Sequence, residues 1–83
     1  MRFSDQLALE TLPARIEALQ TKIAGLNAIL ADPDLYSRDP RGFGATTQAL
    51  AAARDELAAA EEKWLSLEML REEIDGVERE RDL

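Results

Sequence analysis

From Leu9 to Leu30 the apolar residues fall at Leu9, Leu12, Ile16, Leu19, Ile23, Leu26 and Leu30. The steps alternate between three and four, so one apolar stripe returns about every 3.5 residues, the mark of a coiled-coil seam. A lone helix cannot bury such a stripe, and a second helix must lie on it. The chain offers one. After a proline-marked turn, Phe43, Thr46, Leu50, Ala53, Leu57, Ala60, Trp64 and Leu67 repeat the pattern. The expected fold class is therefore all-α: an antiparallel two-helix coiled-coil hairpin with a short N-terminal helix before Pro13.

Local signals set the boundaries. Ser4 is placed to cap a short helix through Glu10. Pro13 lacks an N–H and would crowd the carbonyl of Leu9, so a kink or fresh start is expected there, with the first long helix beginning near Leu12. That helix should stop at Asp32-Pro33, because the residue before proline avoids the α region. The connection spans residues 32–40, and its second Asp-Pro pair, Asp39-Pro40, supplies a cap and a first helical residue. The second helix should run to about Asp75. Pairing it antiparallel with the first sets Leu30 near Phe43, Ile23 near Leu50, Ile16 near Leu57 and Leu9 near Trp64. Three segments follow: a linker and short helix over 1–11, the hairpin over 12–70, and a charged tail over 71–83. The tail has little to pair with; Asp75 and Arg79 support a helix weakly, Gly76 opposes it, and fraying is expected.

Composition narrows the function. The chain has 83 residues, 46% of them apolar and 33% charged, with no cysteine and no histidine. That is enough for one small domain with a narrow seam in place of a thick core. A net charge of -7 opposes general attraction to phosphate or anionic lipid, although a local basic patch remains open. No uncharged stretch approaches the roughly 20 residues that a membrane helix needs, and the N-terminus lacks the apolar core of a signal peptide. A soluble, cytoplasmic, monomeric hairpin without membrane contact is expected. Enzymatic work by this chain is not expected, since no pocket, His or Cys is on offer. Glu61-Glu62 and Glu72-Glu73 have no histidine to complete a metal site, and adjacent residues on a helix do not face each other.

Three segments together resemble a known family. Leu9-Glu10-x-Leu12-Pro13-x-Arg15-Ile16-Glu17-x-Leu19 is similar to the first-helix signature of the C-terminal domain of ABC-F ATPases, above all the Uup branch. Ala31 to Pro40, reading Ala-Asp-Pro-Asp-Leu-Tyr-Ser-Arg-Asp-Pro, resembles the hairpin turn of that family. Glu56 to Glu68, with Lys63-Trp64 within it, resembles its second-helix signature. The three occur in order and cover about residues 3–70. The resemblance implies a parent with two ATP-binding cassettes that use ATP and Mg, a C-terminal coiled-coil arm, and association with DNA or with the ribosome and its RNA. No GxxxxGK[ST] motif occurs here, so this chain holds no cofactor of its own and is expected to be an excised domain or truncated product. It departs from the family pattern ahead of Leu12-Pro13. Ser4 and Leu7 stand where basic residues are usual, and Arg2 is the only basic residue before Pro13.

Two groups of residues are candidates for nucleic-acid contact. At the turn, Arg38 and Arg41 flank Tyr36 and Phe43; they could clamp phosphate while Tyr36 stacks on a base. The alternative is that Tyr36 packs under the turn while the arginines pair with Asp32, Asp34 and Asp39. Along the shaft, Arg15, Lys22, Arg54 and Lys63 lie outside the seam and could form a broken basic stripe, or an ordinary solvated face. Trp64 reads as seam. Gly42-Phe43-Gly44 is similar to a phosphate-binding fingerprint, but it opens a long helix with no strand before it. A second functional reading is a protein-interaction or self-association coiled coil. Whether Ala53 and Ala60 face the first helix of the same chain separates the two.

Overall fold

The computed structural model describes residues 2–81, with side-chain surroundings through Ile74. Three helices follow in order: α1 (Phe3–Leu30), α2 (Leu35–Arg38) and α3 (Pro40–Arg81). α1 lies antiparallel along α3, and α2 closes the turn between them. The molecule measures 68 × 19 × 14 Å, with a radius of gyration of 19.1 Å. A compact chain of this length would have a radius near 12 Å. The fold is a rod.

Every residue of both stripes is buried or half-buried. Leu19, Leu50, Ala53 and Leu67 form the driest part. An ion pair marks the register: Arg15 Nη2 lies 2.7 Å from Glu56 Oε2. Four residues onward from Arg15 and three back from Glu56, this register brings Leu19 level with Ala53, which are 2% and 1% exposed. A large side chain against a small one lets the helix axes approach closely at this waist. Because Ala53 is covered by α1 of the same chain, the seam is closed within one molecule. Leu35 of α2, outside both stripes, is the fifth buried residue among those described and seals the closed end.

Three expectations need correction. Pro13 does not separate a short helix from a long one, because α1 is helical from Phe3 through Leu30 with Pro13 inside it. Proline costs one hydrogen bond there, but Leu9, Leu12 and Ile16 on both sides of it are held in the seam. Pro13 itself is exposed, so the freed Leu9 carbonyl is on the side where water can reach it. Ser4 does not cap α1; Arg2 occupies the cap position without a side-chain bond, and its carbonyl accepts from the Asp5 and Gln6 N–H groups. Within the connection, Leu35–Arg38 makes one helical turn. Beyond Asp75, the expected end, helical backbone continues to Arg81. The Asp75–Arg79 pairing and the fraying of the tail fall outside the described side chains.

Candidate nucleic-acid interface

At the closed end the chain is organised by Asp32 and Asp39. Asp32 Oδ1 accepts from the Asp34 N–H at 3.0 Å, and its Oδ2 accepts from Arg38 Nη2 at 2.8 Å. The Asp34 N–H, and after it the Arg38 guanidinium, hold the Asp32 carboxyl below its ordinary value of 3.8. Asp39 caps α3: its Oδ1 accepts from the Gly42 N–H at 3.0 Å, and Pro40 takes the first helical position. That cap explains Gly42. A Cβ at this position would run into the Asp39 carboxylate, its carbon being 2.7 Å away. The Gly-Phe-Gly segment is thus a cap housing and not a phosphate loop.

The turn residues divide between the two readings given above. Arg38 takes the ordinary one and pairs with Asp32. Arg41 is exposed and has no ion pair among the described residues. Tyr36 does not pack under the turn. It is 65% exposed and stands edge-on to Phe43, with ring centroids 5.3 Å apart at 86°. Phe43 is half-buried in the seam, so the exposed tyrosine ring has a rigid footing.

Along the shaft a simple rule sorts the charges. In both helices, residues just before a seam residue face one flank, and residues just after it face the other. The Arg15–Glu56 contact joins two residues of the first kind, as antiparallel pairing demands. On that flank α1 presents Ala8, Thr11, Arg15, Ala18, Lys22, Gly25 and Ile29. α3 presents Gly42, Ala45, Ala49, Ala52, Glu56, Ala59, Lys63 and Ser66. Its charges are three cations and one carboxylate among small side chains. The opposite flank carries Glu10, Glu17, Glu61 and Glu68 against a single cation, Arg54. Three of the four shaft residues expected to form a stripe therefore share a flank, and Arg54 does not join them. Seven residues separate Lys22 from Arg15, and seven separate Glu56 from Lys63, so the cations follow one another at steps of about 10 Å. Arg15, Lys22 and Lys63 are all exposed. Neither the flank rule nor the Gly42 housing was drawn from the sequence. The first needs only the seam and the direction of pairing; the second was signalled by glycine three residues after Asp39.

Among the described residues no three His, Cys, Asp or Glu side chains gather to hold a metal ion. None of their helices is long and apolar enough to cross a membrane. The described residues thus form a helical rod, closed on itself and charge-sorted along its sides. The chain belongs to the ABC transporter C-terminal domain family, which it matches over residues 1–69. Membership implies a parent ABC protein. No curated protein and no solved structure shows a significant match to it.

Proposed function

We propose that this chain is the non-catalytic C-terminal arm of an ABC-F type ATPase, and that it contacts the phosphate backbone of DNA or ribosomal RNA. The parent cassettes would bind ATP and Mg, and their closure would position the arm. The observation that carries this reading is the cationic flank. Apart from Glu56, which pairs with Arg15, and Ile29 near the turn, Arg15, Lys22 and Lys63 are spaced along a surface of alanine, glycine, serine and threonine, where small side chains let a phosphate backbone approach. With three cations and one carboxylate this flank carries +2, so the rest of the chain carries -9 within the net -7, which orients the arm toward a polyanion with that flank first. Tyr36 and Arg41 at the closed end add a stacking surface and a cation at the tip.

Charge removal at the two places tests the reading. Lys22→Ala with Lys63→Ala should weaken binding to duplex DNA or ribosomal RNA about tenfold or more, at roughly 1 kcal/mol per phosphate contact. Arg38→Ala with Arg41→Ala should have a smaller effect, because Arg38 is already engaged by Asp32. Binding that survives loss of both flank lysines would refute the flank as the contact. The acidic flank keeps a protein-interaction role in view, but burial of Ala53 within one chain speaks against self-association through the seam.

A further inference from the structure

The Arg15–Glu56 pair sets the residues of the cationic flank at regular levels along the rod. Lys63 stands level with Ala8, Arg15 with Glu56, and Lys22 with Ala49, at steps of seven residues or about 10 Å. The next step reaches Ile29 and Gly42, and there the row of cations stops. Ile29 is 49% exposed. Phe43, the residue after Gly42, has Tyr36 edge-on against its ring, so the tyrosine stands at this same level. A strand that follows the flank therefore arrives at an aliphatic and aromatic surface about 10 Å beyond Lys22.

Burial does not account for Tyr36. Leu35 is the residue of α2 that packs inward, at 8% exposed, while Tyr36 beside it is 65% exposed. The single edge contact with Phe43 covers at most one face of the tyrosine ring and leaves the other to solvent. Leu35 and Phe43 hold the turn and the ring in place, so less side-chain freedom is lost when that face is covered. Arg41, two residues before Phe43, is exposed and has no ion pair among the described residues. An open, positioned aromatic face with a cation nearby suits a planar base and its phosphate. In a duplex the faces of the bases cover one another, so it is an unpaired base that can lie on the ring.

We infer that the tip of the arm stacks one unpaired base on Tyr36, so that the nucleic acid it selects carries an unpaired nucleotide beside the duplex held by the flank. This rests on the reading of the arm as a nucleic-acid contact. Two probes with equal numbers of phosphates test it: a DNA duplex with a short thymine overhang, and the same duplex with abasic sugars in that overhang. Fluorescence anisotropy should show the thymine probe bound about fivefold more tightly or better, the low end of base stacking on an aromatic side chain. Tyr36→Ala should bring the two probes to equal affinity with helical circular dichroism unchanged. Tyr36→Phe should keep the preference, because the ring remains. Lys22→Ala with Lys63→Ala should weaken both probes alike and leave their ratio intact. Equal affinities in the unaltered chain, or a preference that survives Tyr36→Ala, would overturn the base site and leave the flank standing. A preference lost in Tyr36→Ala, beside affinities that the lysine variant does not change, would support the tip and refute the flank, so the two readings fail separately. Binding to neither probe would overturn both.

Discussion

Gly42 is the third residue of α3, where a side chain would meet the Asp39 carboxylate that caps the helix. Gly44, two residues on, has nothing within 4 Å of where its Cβ would stand. The pair therefore separates helix propensity from capping. Gly44→Ala should raise stability by about 0.5–1 kcal/mol, the usual gain from alanine in a helix. Gly42→Ala should give no gain or a loss, because displacing the Asp39 cap costs about 1 kcal/mol; urea unfolding of the two variants decides it. Asp32 makes a prediction in pH. Its carboxyl is held low in the folded state by the Asp34 N–H first and Arg38 second. Its contribution to stability is thus present above the unfolded value and fades as pH falls through the lower folded one. Carboxyl-carbon NMR should place the Asp32 midpoint below 3.8. In Arg38→Ala the midpoint should rise yet stay below 3.8, since the backbone bond remains. A midpoint that returns fully to 3.8 would mean that Arg38 alone depresses it.

At the scale of elements, the two stripes were legible before any coordinates, and every one of their residues is at least half-buried. A period of about 3.5 sustained over seven or eight seam residues has few other uses. The start of α3 was legible for a similar reason, since Asp39 and Pro40 combine a cap with a residue suited to the first turn. Pro13 misled because the local rule for proline was weighed without the packing on either side of it. One lost hydrogen bond does not break a helix whose seam residues are held before and after the gap. The rule still has a measurable remainder. Pro13→Ala should stabilise the hairpin by on the order of 1–3 kcal/mol and leave the fold unchanged; a loss of stability in thermal unfolding would show that the proline relieves strain. Leu35 and the single turn of α2 escaped notice because four residues are too few to show a period. The waist is the most tightly filled part of the seam, with Leu19 and Ala53 exposed by 2% and 1%. Ala53→Leu should therefore cost about 1–3 kcal/mol through overpacking, read as a lower urea midpoint. A neutral result would mean that α1 and α3 are free to move apart there.

Over the whole molecule the fold distributes three kinds of surface on one rod. The seam is internal, the shaft is charged differently on its two flanks, and the exposed large apolar groups among the described residues lie near the ends. Net charge alone hides this arrangement, because -7 describes no particular side of the molecule. Sorting became visible once the Arg15–Glu56 pair showed which residues share a flank. That pair is solvent-exposed and worth at most about 1 kcal/mol, so it marks the register more than it secures it. It also partly neutralises the flank, leaving Lys22 and Lys63 as its unopposed cations among the described residues. The most direct test of the central claim is the salt dependence of binding between the purified chain and duplex DNA, read by fluorescence anisotropy from 50 to 200 mM salt. Contact through Arg15, Lys22 and Lys63 predicts a log–log slope of about -2.7, a loss of about 40-fold over that range. In Lys22→Ala with Lys63→Ala the slope should fall to about -1. A slope near zero, or one that the double variant leaves unchanged, would contradict the claim that this flank is a phosphate-binding surface.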